Sequence, residues 1–600
     1  MRRHFVGEKV TLVIVGMCFS TVLTAAESKR GFELMTQAEA SQASLGADGQ
    51  RTSAAMWTWT DKIAYMPGEP LTLRWTVKRN NDNFPYTIVA FRQNNQTGAK
   101  TYVSQRGPSS TPVDIFGNEV SQGFQITRLP EATKQVLIGS GGLLINSPLT
   151  VPNEPGMHTI VIQLRDYTGR KVVKSAYWKF GVYTNRITVS GNIASNTTWT
   201  NNNLYVLSGI VSVLNNATLT IEPGTIIQGS PGSQPPSVLL ITTAGKINAQ
   251  GTRSRPIIMT STQPVGRRNR GDWGGLILLG RARINDPSGA LNIEGLPDLP
   301  ETRYGGTDDS WNCGSLRYVR VEFAGSLLRP NEETNSFTWG ACGSETKGEY
   351  LQAHYGLDDA FEWFGGNNSV KRIVGTYAAD DYVDTQIGAR PKIQFGVFVA
   401  NDDRSNRGIE ADNYERGFDN QPYSKGVYYN LTFVGGGSQG FDEADASCMF
   451  FRRGTAGLVF NSVCYHWVTR GIGGADFASL EPRMNAGEFN MNGIVLWDNG
   501  FNTNPPAPNT LQGQVAPAFQ PFASVANRQI LIEDPQMIRP LERSDPDFRP
   551  TLGSVLWRAG FVAPPDDGFF EQSVEYAGAF GEEDWTEEWA TFHQEQDLQP

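Results

Sequence analysis

The sequence is poor in the residues that build compact transition-metal centres: His and Cys number five each among 600 residues. That scarcity excludes a His-rich or Cys-rich metal cluster. Positive charge is also short. Lys+Arg total 51 against 61 Asp+Glu, a net charge of -10 at pH 7, which argues against a nucleic-acid scaffold, since such scaffolds work by neutralising phosphates. After the first thirty residues no apolar run approaches the roughly 20 residues that a membrane helix needs, so the mature chain has no expected transmembrane span. HExxH, P-loop and dinucleotide fingerprints are missing too.

What is present points outward from the cell. Arg2 and Arg3 precede an apolar run from Val10 to Leu23, followed by the small residues Thr24, Ala25 and Ala26. This pattern predicts a signal peptide over 1–26 and an exported protein, placed extracellularly, on the outer surface or in the periplasm. Its removal takes away Cys18 and leaves Cys313, Cys342, Cys448 and Cys464. An even count in an oxidising compartment predicts two disulfides. Neighbour pairing, Cys313–Cys342 and Cys448–Cys464, is the preferred of three connectivities. The spacing is unlike CxxC, against a zinc site.

Texture divides the rest. Residues 27–55 are polar and read as a flexible leader. From Met56 the alternation Leu71, Leu73, Trp75, Val77 has the period of half-buried strands. Turn-separated strands of this kind predict a β-sandwich over 56–186, similar to the immunoglobulin-like accessory modules of exported bacterial proteins. From 187 to 534 the chain becomes short β runs divided by Gly, Asn and Pro. Ile221 to Ile241 is 20 positions and Ile226 to Ile247 is 21, the length of one parallel β-helix coil. A single coil cannot bury its inward apolar residues, whereas stacked coils bury them in one column. The fold class is therefore all-β: a sandwich, then a solenoid. Residues 535–600 are expected to form a closing coil and cap, with a short helix near Glu583 to Phe592.

Several segments carry a more specific likeness: Leu219–Ile227 (LTIEPGTII), Gly251–Ser261 (GTRSRPIIMTS), Gly271–Ile277 (GDWGGLI), Leu316–Gly325 (LRYVRVEFAG), Asp358–Gly366 (DDAFEWFGG), Lys392–Gly396 (KIQFG) and Tyr576–Gly581 (YAGAFG). In this order they resemble a family of bacterial exported and surface right-handed parallel β-helix proteins of the pectin-lyase-like type. The resemblance implies a fold and a location rather than a reaction. Within pectate-lyase-like β-helices it also implies one possible chemistry. There, Asp-bound Ca²⁺ acidifies a uronate α-proton and a basic residue removes it.

The chemistry-bearing pattern is acidic. Asp358, Asp359 and Glu362 recur as Asp380, Asp381 and Asp384, each 22 positions later. Residues one coil apart stack at about 4.8 Å, and stacked like charges repel unless offset. Asp402 and Asp403 lie another 22 on, and Glu410 and Asp412 continue the theme. Three readings follow. The carboxylates bond turn backbone, with Arg372, Arg390 and Arg407 as counter-charges. Or Asp358, Glu362, Asp380, Asp384 and Glu410 bind Ca²⁺. Or Asp358, Asp359, Asp380, Asp381 and Asp384 catalyse, with Arg390 and Arg407 as candidate bases. Gly436-x-Ser438-x-Gly440 matches a nucleophile elbow only as a string and reads as a Gly-rich turn. His354 alternates with Leu351, Ala353 and Tyr355 and is expected to face solvent. His466 reads as a surface or packed residue. Trp273, Trp311, Trp339, Trp363 and Trp467 are expected mostly to fill the column, though exposed rings would stack on sugars. The function expected is a non-catalytic secreted or surface protein binding polysaccharide or another cell-envelope component. A Ca²⁺-dependent lyase or glycoside hydrolase, and a structural spacer or adhesin, are the alternatives.

Overall fold

The computed structural model describes residues 33–35, 55–78, 85–104, 106–114, 126–128, 136–140, 149–165, 171–329, 332–404, 406–436, 446–500, 509–525, 528–558 and 561–598. The expected signal peptide, nearly all of the leader, and the Ser438 string beyond Gly436 lie outside the described residues.

Alternating apolar residues organise the N-terminal part. Ala55–Thr60, Leu73–Lys78 and Val136–Ser140 form one antiparallel sheet. Pro85–Asn94, Lys100–Ser104, Gly156–Arg165 and Val172–Val182 form part of a second. Trp59 and Trp75 of the first share one apolar core with Ile160, Ile162 and Trp178 of the second.

Beyond this point the chain winds as a solenoid. Twenty-five strands, from Asn185–Ile193 to Ile530–Ile532, form one continuous sheet. The middle coils each contribute a short strand and a longer bent one, for example Phe361–Phe364 and Ser369–Thr376. The bend falls at a left-handed residue. Tyr318, Tyr350, Arg372, Phe395 and Asn430 occupy one corner with φ of 48°, 55°, 53°, 62° and 57°. Such backbone costs about 1–3 kcal/mol per residue unless the surroundings hold it. Here the corner side chains stack: Tyr318 on Tyr350 at 4.3 Å, with the Arg372 guanidinium 5.4 Å from Tyr350 and 4.9 Å from Phe395. Inward residues build the column, where Trp339 stacks on Trp363 at 4.5 Å and Phe337 on Phe361 at 5.1 Å. Trp273 and Trp467 are buried there too, and Trp311 packs against it. Both disulfides have the neighbour pairing, Cys313–Cys342 and Cys448–Cys464. No helix among the described residues is long and apolar enough to cross a membrane.

Two additions cover the outside of the coil. Residues 281–313 leave it and lay Ile284, Ile293, Leu296 and Tyr304 over Ile277 and Leu279. Residues 535–598 do not simply close the last coil. They run back along the flank formed by the second arm of the bent strands, packing Phe548, Phe580, Trp585 and Trp589 on Phe323, Tyr355, Tyr377 and Val397. Polar ties fix them: Glu595 meets Arg268 at 2.7 Å and the Gly266 N–H at 2.6 Å, and Glu588 meets Lys179 at 2.8 Å. Leu598 ends in the core of the N-terminal sheets.

That cover corrects two expectations. His354 is 2% exposed, because the flank its strand would show to solvent is occupied by the C-terminal segment; its neighbour Gln352 bonds both the carbonyl and the N–H of Thr591. Residues Glu583 to Phe592 form turns rather than a helix, and the nearest helical turn is the 3-10 segment Glu595–Leu598. Trp585 and Trp589 both point into the flank, and satisfying two rings against one flat sheet sets the backbone there.

Candidate functional site

The acidic residues gather at one corner of the coil. Phe361–Phe364, Val383–Gln386 and Ile409–Ala411 pair in parallel, with Glu362 opposite Asp384 and Asp384 opposite Glu410. Their neighbours Phe361, Val383 and Ile409 enter the column, so period-two alternation sends the three carboxylates outward. Asp358-Asp359 and Asp380-Asp381 form the turns just before these strands. The second Asp of each pair serves the next coil: Asp359 accepts from the Asp381 N–H at 2.9 Å, and Asp381 accepts from the Arg407 N–H at 2.7 Å.

Carboxylate oxygens of Asp358, Asp359 and Asp380 lie within 4.8 Å of one another, and so do those of Asp359, Glu362 and Asp384. Glu362 accepts hydrogen bonds from Asn335 and, at 2.8 Å, from Gln386. One oxygen of Asp384, Oδ1, is buried with no hydrogen-bond partner. Burial, and then neighbouring carboxylates, push five of these groups well above the usual carboxylate range: Asp358 beside Asp380, Asp359 beside Asp358, Glu362 beside Glu294, Asp381 beside Asp380, and Asp384 beside Glu410. Asp358, Asp380 and Asp384 are half-buried and reach the surface, whereas Asp359, Glu362 and Asp381 are buried.

Glu410 belongs to a different circle. Burial would raise it, but a hydrogen bond with Asp381 and the Arg407 and Arg452 cations hold it below the carboxylate range. Arg407 also lies 4.2 Å over the Phe450 ring. Asp412 is clamped by Arg452 and Arg453 at 2.7 Å each.

The other expected residues lie elsewhere. Arg390 pairs with Asp309 at 3.2 Å, and Arg372 with Glu349 at 3.0 Å; neither makes an ion pair in the acidic corner. Asp402 and Asp403 are not in the ladder. Asp384 aligns with Glu410, 26 positions on, so the next coil is longer than 22 and carries them away, Asp403 to Arg270 at 2.9 Å. His466 is half-buried against Asp498 at 2.7 Å. Sequence reasoning missed Asn335 and Gln386. Asn335 stands 24 positions before Asp359, as Thr338 does before its partner Glu362, so carrying the repeat back one coil finds it. Gln386 follows Asp384 by two, on the same outward face.

Residues 191–503, which hold the whole acidic corner, match the family model described as a pectate-lyase-like beta helix domain. The chain belongs to the pectate-lyase-like β-helix family. Among solved structures, a Yersinia enterocolitica family 28 exopolygalacturonase aligns at 10% identity over 74% of this chain and 91% of that chain, with a TM-score of 0.20. No curated protein matches. Within this pectate-lyase-like β-helix, the acidic corner lies on the outer face of the short-strand sheet, next to the 281–313 excursion whose Glu294 adds to its negative field.

Proposed function

We propose that this pectate-lyase-like β-helix protein is exported and binds polymeric glycans, and that its acidic corner holds Ca²⁺. The observation that carries the cation is the unpartnered buried Oδ1 of Asp384 at the edge of two overlapping carboxylate triads. Five carboxyls pushed upward mark crowding of acids that Arg407 beside Asp381 and Arg452 near Asp384 offset only in part. The donor set is all oxygen, which suits a hard cation bound at about 2.3–2.6 Å. Oxygens gathered within 4.8 Å can share one such ion. Asp359, Glu362 and Asp384 would hold it, with Asp358 and Asp380 alongside in the triad that shares Asp359, and it would supply a fixed positive charge at the half-buried edge, open to sugar hydroxyls or carboxylates. The glycan reading is supported by the family, by the expected signal peptide and by the long lateral face of the coil.

Glycan cleavage is the second reading, favoured by the split in protonation across the corner. Asp358, Asp359, Glu362 and Asp384 are pushed above the carboxylate range while Glu410 is held below it, and such divergence marks acid and base partners. One experiment separates the two. Chelator-treated protein is titrated with Ca²⁺ by calorimetry, then tested against a polysaccharide panel with Ca²⁺ and with chelator, watching for new reducing or unsaturated ends. One Ca²⁺ site, absent in Asp384→Asn, with glycan binding and no new ends, is the expected result. Turnover lost in Asp380→Ala would establish cleavage instead.

A further inference from the structure

Three peptide bonds in the sequence join Asp to Pro: Asp286–Pro287, Asp534–Pro535 and Asp545–Pro546. This linkage is more labile than other peptide bonds. The aspartyl carboxylate can close a five-membered ring on its own backbone carbonyl carbon, and proline leaves as a basic secondary amine. The three sites differ in their surroundings. Asp286 accepts from the Ser288 N–H at 2.8 Å and from the Tyr414 hydroxyl, and Asp534 accepts from the Gln536 N–H at 2.8 Å. Among the described residues only Asp545 of the three pairs with a lysine. Its Oδ2 lies 2.7 Å from Lys174 Nζ and accepts from the Met56 N–H at 2.8 Å. The carbonyl of the Asp545–Pro546 bond has a partner of its own: it accepts from Arg539 Nε at 3.4 Å and Nη2 at 3.5 Å. These contacts are long for a resting hydrogen bond and shorten as the oxygen gains charge. The Lys174 and Asp545 side chains are only 13% and 18% exposed, and Pro546 is buried, so little water reaches the bond. Burial also raises the Asp545 carboxyl against the pull of Lys174 and Arg539, so the carboxylate is poorly solvated and the more nucleophilic for it.

We propose that the chain cuts itself between Asp545 and Pro546 and passes the freed aspartyl group to Lys174, joining the N-terminal sheets to the C-terminal segment by a side-chain amide. The atoms balance with no added reagent. Asp545 Oδ1 attacks the backbone carbonyl carbon of its own residue; a C–O bond forms and the carbonyl oxygen takes the negative charge, where the Arg539 guanidinium receives it. Collapse breaks the C–N bond to Pro546, and the proline nitrogen takes a proton from the Lys174 ammonium. The aspartyl residue is now a cyclic anhydride. Lys174, a neutral amine at this point, attacks Cγ, whose Oδ2 it already touches. The Nζ–Cγ amide forms, the Cγ–Oδ1 bond breaks, and the α-carboxylate becomes a new C-terminus. The proton that Nζ loses goes to the proline nitrogen, which ends as a secondary ammonium. An amine held in contact with the acyl group has a high effective concentration, so it outruns water at this sheltered bond. Residues after the cut stay in place, because Phe548, Phe580, Trp585 and Trp589 remain packed on the flank of the coil.

The test is denaturing liquid chromatography with mass spectrometry on the full-length protein after incubation near neutral pH. The expected result is a fragment that begins at Pro546, released only on denaturation, and a remainder in which peptide mapping finds Lys174 joined to Asp545. The two masses together should equal that of the uncut chain, because acyl transfer to an amine takes up no water. Asp545→Ala should stay whole. Lys174→Arg keeps a cation beside Asp545 but lacks the attacking amine, so its fragments should together weigh one water more than its uncut chain. Arg539→Gln should slow the cut by about a hundredfold. Circular dichroism and thermal melts verify that each variant is folded, and the parent chain alone decides the main claim. A parent that stays whole overturns the proposal. Equal cutting at Pro287 and Pro535 overturns it as well, since that is ordinary lability of the linkage. Parent fragments heavier by one water, with Lys174 unmodified, overturn the transfer to lysine.

Discussion

At the scale of single residues, the acidic corner makes the sharpest forecast. Asp384 loses solvation and faces Glu410 and Asp412, so its charged form is disfavoured in the fold. A carboxyl raised in this way contributes stability that is fully present below its unfolded pKa of about 4 and is lost as pH rises through the folded value. Chelator-treated protein should therefore gain stability as pH is lowered from 8 toward 5. Asp384→Asn, which cannot ionise, should be more stable than the parent at pH 8 by about 1 kcal/mol or more, with a flatter pH slope. Thermal melts of both proteins across pH check this, and an unchanged slope would refute the assignment. Added Ca²⁺ should stabilise the parent at pH 8 and leave Asp384→Asn unmoved. This corner was legible in sequence because a 22-residue recurrence of Asp-Asp and a third acid places like residues in register. Its limits were not legible. Asp402 and Asp403 keep the spacing but lose the register, because coil length changes at the next turn. Arg390 was misplaced because a one-dimensional neighbour can sit around a corner of the coil.

At the scale of elements, the C-terminal segment behaves as a strap. Its rings turn the flank into interior, and this is why His354 escaped sequence reasoning: strand alternation predicts which side a residue faces but not what will later cover that side. Trp589→Ala should cost about 3–5 kcal/mol, since the ring is buried against Tyr318 and Tyr350 at 5.6 and 5.9 Å. Denaturant unfolding measures it. The strap should also respond to acid, with the sign opposite to that of the acidic corner. Burial, followed by the cations Arg320 and Arg268, pushes His593 down to about 3 and His354 well below its ordinary value. Stability from a depressed His is present above about pH 6.5 and is lost as pH falls toward the folded pKa. Protection factors at Thr591 to Glu595, taken against the intrinsic exchange rate at each pH, should fall between pH 6.5 and 4 before those of the column do, and uniform protection down to pH 4 would contradict it. The disulfides are the most legible elements of all, since four cysteines remaining after the expected signal peptide pair with their sequence neighbours. Reducing them should cost the fold about 2–4 kcal/mol per bridge.

At the scale of the whole molecule, repetition made the solenoid readable. Inward apolar residues recurring at 20 to 22 positions can be satisfied only by stacking. The strap broke no local rule and carried no repeat, so its path was invisible. The contacts it makes lead to a forecast about cooperativity. Asp545 holds Lys174 at 2.7 Å and the Met56 N–H at 2.8 Å, and Glu595 holds Arg268, so N-terminal sheets, strap and coil share interior. Calorimetry should show one dominant transition in the full chain. Deletion of 535–600 should split it into two at lower temperature, and an unsplit melt would show that the sheets and the coil are coupled without the strap. Leu598, 1% exposed, completes a hydrophobic interior whose first strand begins at Ala55. Synthesis delivers those two stretches at widely separated moments, so the sheets begun at Ala55 wait, incompletely packed, until Leu598 has emerged.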